Sequence, residues 1–222
     1  MIIDNEVGYG AAMKFGRKAE RKMHSLAENI GLPTLTDIQK QNIICLQEAL
    51  TDMPRDITPL TYFEANSGSS NPLKDDANCQ SVIIAFEARR RGLNCYALPY
   101  SHEEGSSSFM LGENFAQAWI NPRNMKPLQP TKITGKSDEE LIKKLEKEIS
   151  IPGRYILGIN YKANGHLISV DVTERGERIY HDEQDDSFIN PNCFEDIEYF
   201  EVVRIDRAIF NIELVKSVLT MF

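Results

Sequence analysis

The sequence has few of the features of metal-binding, disulfide-stabilised or nucleic-acid-binding proteins. Its four cysteines form no C-x-x-C pair and have no histidines beside them at ligand spacing, which argues against a zinc site or a disulfide framework and favours a reducing compartment. The net charge of −8 and the isoelectric point near 5.1 argue against a nucleic-acid surface. We therefore expect no metal, no other cofactor and no nucleic-acid partner.

The sequence also lacks an apolar run of membrane-spanning length, and its first residues carry acids without the apolar region of a secretion signal. We expect a chain that is made in the cytoplasm and has no membrane partner. Association with a virion, or delivery to a target cell by specialised export, would leave no such signal. The 222 residues, 41% of them apolar, are enough for one large domain or for a catalytic domain with a helical extension.

The clearest element is a predicted helix over residues 78–92. Asn78 suits the N-cap, Cys79 then occupies the first helical position, and Gly92 suits the left-handed residue that ends a helix. Apolar residues recur on one stripe, and the basic run 89–91 complements the negative helix end. The unpaired N–H groups of a first helical turn favour a thiolate, which is the nucleophilic form of cysteine.

Cys79 has two interpretations. A free cysteine is often a small packed core residue. Cys79, however, follows a polar loop, residues 66–76, at a position where substrate could reach the side chain. Both readings stay open at this point.

Two further helices are predicted before this loop, over residues 9–29 and about 36–50. We assign residues 1–53 to a helical N-terminal arm, which either packs on the domain or binds a partner, and residues 54–222 to the main domain. The segment 54–76 is rich in Pro, Ser, Asn and Gly, a composition typical of a long functional loop.

The second half of the chain predicts an antiparallel sheet with helices. Helices are expected over residues 113–120, 137–150, where Ser137 and Glu140 form a capping box, and 211–221. Strands are expected over residues 93–98, 155–161, 166–173, 178–182 and 198–206. The fold class is therefore α+β, with the Cys79 helix packed on the antiparallel sheet.

His166 begins one of these strands, on the face of Ile168, Val170 and Val172. If the following turn is the three-residue loop 174–176 with Gly176 in the left-handed region, Asp182 and Gln184 share this face and His181 points outward. A two-residue loop would place His181 there instead and turn Asp182 away.

A thiol at a helix start, a histidine at a strand start and an acid on the next strand follow the chain order of papain-like enzymes. The segment NCQSVIIAFEARRRG (78–92) resembles the nucleophile segment of the papain-fold toxin domains, a group linked to glutamine deamidases and also found attached to phage minor head proteins. Gly165-His166 and the strand IYHDEQ (179–184) resemble two further motifs of that family. Residues 65–72 and 199–206 of this chain resemble segments of its phage-associated branch. Val82 stands where the family has a second cysteine, and Glu183 where it has a proline.

The resemblance implies a papain-like fold in which Cys79 is the nucleophile, His166 the general base and Asp182 the residue that orients it. Papain's oxyanion glutamine corresponds to Leu73 here, so the oxyanion would rely on the Cys79 N–H with Asn78 or a loop asparagine such as Asn66. Gln184 would lie beside the triad and contribute to substrate binding.

The function expected from these residues is cysteine-dependent hydrolysis of an amide in a protein or peptide, either as a peptidase or as a protein-glutamine deamidase. A phage-encoded or delivered toxin or effector is one form of this expectation, with a phage-head or delivery partner bound by the arm. The alternative is a structural or interaction protein, associated with a phage or mobile element, that keeps the fold with little or no activity.

Overall fold

The structure, a computed structural model, describes residues 35–51, 58–65, 67–162 and 164–222. The helix predicted over residues 9–29 and the candidate Asn66 lie outside these ranges. The chain divides into two units between residues 45 and 46. No helix in the described ranges is both long and apolar enough to cross a membrane.

The described chain is a mixture of helices and antiparallel strands, as expected for the α+β class. The helices are α1 Leu35–Thr51, α2 Tyr62–Ala65, α3 Cys79–Arg90, α4 Ser107–Glu113, α5 Asp138–Glu148 and α6 Ile212–Val215. The strands are β1 Cys95–Ala97, β2 Trp119–Asn121, β3 Lys126–Pro127, β4 Thr131–Thr134, β5 Gly153–Tyr161, β6 Gly165–Val172, β7 Arg178–Asp182, β8 Ser187–Ile189, β9 Ile197–Arg204, β10 Ile209–Phe210 and β11 Leu219–Met221.

Six strands form the main sheet in the order β4-β9-β5-β6-β7-β8, and every pair is antiparallel. Two small sheets accompany it, β1-β11 and β10-β2-β3. The main sheet is covered on both faces. One face packs on α3 through residues such as Ile156 and Val203, and the other packs on α5 through residues such as Leu157 and Val170.

Helix α3 begins and ends close to the positions that the sequence predicts, and Gly92 has the expected positive φ of +93°. Its surroundings differ from the prediction, because all nine side chains from Gln80 to Ala88 are buried rather than one stripe of them. A fully buried aliphatic or aromatic side chain contributes about 1.5–3 kcal/mol relative to an exposed one. The helix is therefore a central core element, and Cys79, its first residue, is only partly buried.

The turn between β6 and β7 is the predicted three-residue loop. Gly176 has φ +80°, and the Thr173 N–H donates to the Glu177 carbonyl at 2.9 Å. Val170 consequently lies opposite Tyr180, as predicted, and Ser169 lies opposite His181.

The prediction that His181 points outward is wrong. Its side chain is only 2% exposed, and its ring stacks on Phe86 of α3 at a centroid distance of 5.8 Å. His181 does lie on the face of the sheet opposite His166, as the alternation along β7 predicts, but α3 covers that face, so it does not face solvent.

Two predicted helices are also corrected. The helix over residues 113–120 is instead the end of α4, a short 3₁₀ turn at Phe115–Ala118 and the start of β2. The closing helix over 211–221 stops at Val215, and Leu219–Met221 pairs with β1 as a strand. That pairing gives backbone partners to the open edge of β1 and buries Leu219.

The arginines that end α3 have internal partners. Glu87 is 3% exposed, and its Oε1 accepts hydrogen bonds from Arg91 Nε at 2.7 Å and from Arg154 Nη2 of β5 at 2.7 Å. Arg90 donates two hydrogen bonds to the Asp171 carboxylate of β6, at 2.8 and 2.7 Å. The basic run therefore joins the helix to the sheet as well as matching the helix dipole.

We expect Glu87→Gln to lower the free energy of unfolding by about 3 kcal/mol or more, because it leaves two guanidinium groups without their charge partner inside the protein. Urea denaturation at neutral pH measures this loss. Glu174→Gln, at an exposed residue of the β6-β7 turn, is the control and should change stability by about 0.5 kcal/mol or less.

The loss should also depend on pH. Burial opposes the charge of Glu87, but Arg91 and Arg154 outweigh burial and hold the pKa of this carboxyl below its usual value. A lowered pKa means that the stabilisation is complete above the pKa of unfolded glutamate, about 4.3, and disappears as the pH falls through the folded value. A stability difference that widened in acid would contradict this assignment.

Candidate functional site

A cavity of about 350 Å³ lies at the start of α3. Cys79 contributes to its wall from α3, His166 from the start of β6, and Glu201 from β9. A concave site of this size with a few converging polar groups is typical of a small substrate or a single side chain.

Cys79 is a free, partly exposed cysteine at the first position of α3. Its sulfur lies 3.7 Å from the Gln80 side-chain oxygen, and Gln80 is held in turn by donation to the Ser108 carbonyl at 3.4 Å. Within the described ranges, the backbone N–H groups of Cys79 and Gln80 have no acceptor. These two donors at the positive end of a helix favour an anion at this position.

Asn78 occupies the N-cap position, but its side chain does not cap the helix. The side chain is fully buried, and its amide nitrogen donates to the Leu98 carbonyl at 3.2 Å and to Asn71 Oδ1 at 3.4 Å. The Asn78 amide therefore fastens the segment before the helix. It leaves the first-turn N–H groups without a side-chain cap.

The three residues predicted as catalytic lie together. His166 Nε2 is 2.7 Å from Asp182 Oδ2, and the Cys79 side chain is a second polar neighbour of the same imidazole. Because Nε2 faces Asp182, Nδ1 is the nitrogen left for the thiol. This order of thiol, imidazole and carboxylate can move a proton from sulfur to nitrogen.

The charge of His166 follows from these neighbours. Burial disfavours the imidazolium, but the hydrogen bonds and charges of Asp182 and Cys79 outweigh it and raise the pKa of His166 to about 10. The imidazolium is therefore the main form at neutral pH. In this form it can stabilise a neighbouring thiolate and donate a proton to a leaving group.

Asp182 is held by the chain that follows it. Its Oδ1 accepts the backbone N–H of Gln184 at 2.9 Å and that of Asp185 at 3.4 Å. Burial acts against its charge, but His166 and these two N–H groups lower the pKa of the carboxyl below its usual value. Asp182 therefore remains a carboxylate and keeps Oδ2 free for the imidazole.

Gln184 lies next to this turn, as expected, but its side chain does not line the cavity. Its amide nitrogen donates to the Asp75 carbonyl at 2.9 Å. The contact ties the turn carrying Asp182 to the loop that precedes Cys79.

Sequence reasoning missed Glu183, which it treated only as a departure from the family pattern. Glu183 is 1% exposed and accepts hydrogen bonds from the Ser169 N–H at 3.3 Å, the Ser169 hydroxyl, and His181 Nδ1 at 3.2 Å. Burial outweighs these bonds and raises the pKa of Glu183. The Tyr62 ring covers the cluster, 4.6 Å from the His181 ring.

The pairing register of β6 with β7 contains the signal that predicts the cluster of Glu183, Ser169 and His181. The loop that brings Asp182 to the face of His166 also puts His181 and Glu183 on the opposite face, with Ser169. Glu183 is therefore the residue that anchors the backbone directly after Asp182.

Across the described residues, no group of three His, Cys, Asp or Glu side chains is placed to hold a metal ion. Comparison with protein-family models and with curated proteins finds no match to this chain. The interpretation of the site therefore depends on its own geometry.

We expect the His166 imidazole to titrate near pH 10 when followed by NMR. Asp182→Asn should lower this midpoint toward the usual value of about 6.5, because the variant removes the charge and the acceptor that favour the imidazolium. Asp185→Asn removes a neighbouring carboxylate that does not contact the imidazole and is the control. By linkage, the pairing of His166 stabilises the fold fully below about pH 6.5 and loses this effect as the pH rises toward its folded pKa.

A His166 midpoint near 6.5 in the unmodified protein would contradict the assigned pairing. So would an equal shift in both aspartate variants.

Proposed function

We propose that this chain is a cysteine-dependent amide hydrolase with a papain-like arrangement, in which Cys79 is the nucleophile, His166 the general acid and base, and Asp182 the residue that orients His166. The observation that carries this proposal is that Cys79 and His166 line the same cavity while His166 forms a 2.7 Å hydrogen bond with Asp182. The substrate is an amide in a protein or peptide.

In the first half of the reaction, the Cys79 thiolate attacks the carbonyl carbon of the amide. A C–S bond forms, and the carbonyl π electrons move to oxygen and produce a tetrahedral oxyanion. When this intermediate collapses, the C–N bond breaks and His166 gives its proton to the departing nitrogen. The products are a thioester on Cys79 and a free amine or ammonia.

In the second half, neutral His166 removes a proton from water while the water oxygen attacks the thioester carbon. The C–S bond then breaks, the carboxylic acid leaves, and Cys79 and His166 return to their starting state. Asp182 stays a carboxylate throughout, because its role is to hold the imidazole and to stabilise its charge.

The oxyanion is proposed to bind the backbone N–H groups of Cys79 and Gln80. Both belong to the first turn of α3, where described acceptors are absent and the helix dipole favours negative charge. The papain glutamine position is occupied by Leu73, whose side chain is 55% exposed. Backbone donors therefore replace part of what a side chain supplies in papain.

Peptidase and glutamine deamidase activity share this chemistry and differ only in the leaving group. Peptide cleavage releases an amine, and deamidation of a glutamine side chain releases ammonia. Action as a delivered toxin or effector, and a phage-head partner for residues 1–53, remain predictions that depend on the resemblance noted from the sequence.

The first test is covalent labelling with a glutamine-based peptide electrophile, followed by intact-mass spectrometry. We expect one equivalent to add to the protein and Cys79→Ala to abolish the addition. Cys193→Ala is the control for accessibility alone, because Cys193 is a free and exposed cysteine, and this variant should label like the parent.

His166→Ala should reduce turnover of a peptide or glutamine substrate by on the order of a hundredfold or more, because the variant removes the acid–base group. His102→Ala is the control because His102 is exposed. His181 is unsuitable as a control, since it is buried and holds Glu183. A folded protein whose Cys79 reacts no faster than Cys193 would favour the interaction-protein alternative.

A further inference from the structure

The cavity beside Cys79 carries two carboxylates that form no ion pair with the residues that the structure describes. Glu201 lines it from β9 and Glu113 from the end of α4. Neither forms an ion pair with any described residue. Among the described residues that line the cavity, His166 alone can be cationic, and its charge is already matched by Asp182.

The sheet register gives the place of Glu201 relative to the reacting groups. Glu201 lies opposite Gly158 of β5, and Gly158 lies opposite Leu167 of β6, the residue after His166. Adjacent strands are about 4.8 Å apart, so the backbone of Glu201 is roughly 10 Å from that of β6. At about 3.3 Å per residue this separation equals about three residues of an extended peptide, so the long side chain of a lysine or arginine one or two residues from the attacked amide covers the remaining distance.

The residue between Glu201 and β6 is a glycine, Gly158 of β5, and neighbouring side chains pack closely over it. A Cβ at Gly158 would lie 3.2 Å from the Phe115 ring and 3.6 Å from the Glu201 Cβ. The Phe115 and Leu167 side chains thus occupy the space over Gly158, and the side of Glu201 that a substrate can reach is the one that lines the cavity.

The basic residue opposite Glu201 in the sheet forms no ion pair with it. Lys132 lies opposite Glu201 across β4 and β9, but its ammonium group lies 3.3 Å from the centre of the Tyr199 ring. Tyr199 also lines the cavity. An aromatic ring and a carboxylate side by side are the two groups that bind ammonium and guanidinium ions most readily in proteins.

We propose that the site selects substrates with a lysine or arginine side chain near the attacked amide and that Glu201, supported by Glu113, binds this cation. The inference rests on the proposed hydrolase function and names its substrate class. Glu201 contacts the substrate away from the reacting atoms, so it determines specificity and does not take part in the proton transfers.

The test compares three peptides that share one central glutamine and differ only at the flanking positions, which carry lysine, norleucine or glutamate. Mass spectrometry detects both cleaved and deamidated products, so either form of hydrolase is measured. We expect kcat/KM for the lysine peptide to exceed that for the norleucine peptide about tenfold or more, the effect of one charge-assisted contact. The glutamate peptide should be the slowest.

Glu201→Gln should bring the lysine-to-norleucine ratio toward one, and Glu113→Gln should lower it less. Glu174→Gln, which removes an exposed carboxylate from the β6-β7 turn, is the control and should leave the ratio unchanged. Lys132→Met should raise the ratio, because it removes the competing cation from Tyr199.

Binding to Cys79→Ala, with Cys79→Ser as a second inactive variant, separates failure of this inference from failure of the proposed function. Fluorescence anisotropy of the labelled lysine and norleucine peptides gives the affinity without turnover.

If no peptide is turned over but the lysine peptide binds more tightly in a Glu201-dependent way, the hydrolase proposal fails and the cation site stands. If peptides are turned over with no charge preference, or with one that survives Glu201→Gln, the cation site is overturned and the hydrolase stands. If there is neither turnover nor preferential binding, both are overturned.

Discussion

The constraint on which the site depends is the burial of charge along helix α3. A helix enclosed on nearly every side must pair its charged groups inside the protein, and this one does so at its C-terminal end, where Glu87 meets Arg154 and Arg90 meets Asp171. Arg154 and Asp171 lie opposite each other on β5 and β6. From Arg90 back to Cys79 the helix advances about 16 Å, and from Asp171 back to His166 the strand advances about 17 Å. Fixing one end of the helix on the sheet therefore brings Cys79 to His166 at the other end.

The acid of the triad depends on a second, shorter set of contacts. Asp182 ends β7, where strand pairing alone would leave its side chain free to rotate. The N–H groups of Gln184 and Asp185 hold one carboxylate oxygen, while Glu183 fixes the backbone from the opposite face through Ser169 and His181. Proline would restrict the backbone here through its ring. In this chain a buried glutamate restrains the same position through hydrogen bonds.

The parts of the fold that could be predicted from sequence are those governed by local rules. The bounds of α3 follow from a cap position and a terminal glycine, and the register of β6 with β7 follows from Gly176 in the left-handed region. Alternation then correctly separates His166 from His181, but it cannot say what covers each face. Leu219–Met221 was missed for a related reason, since its partner strand β1 is distant in sequence and leaves no local signal.

The charge of the cavity likewise depends on residues that are distant from one another in the sequence. The groups proposed to react are matched to one another, because the Asp182 carboxylate balances the His166 imidazolium. Glu113 and Glu201 come from α4 and β9, which supply none of the proposed triad residues, and neither is ion-paired within the part of the chain that the structure describes. An anionic substrate would meet their uncompensated charge before reaching the short-range N–H donors of α3. The proposed chemistry and the proposed selection would thus be carried by different elements of the fold, so a substitution on β9 would change which substrate is accepted while the hydrogen bond between His166 and Asp182 stays in place.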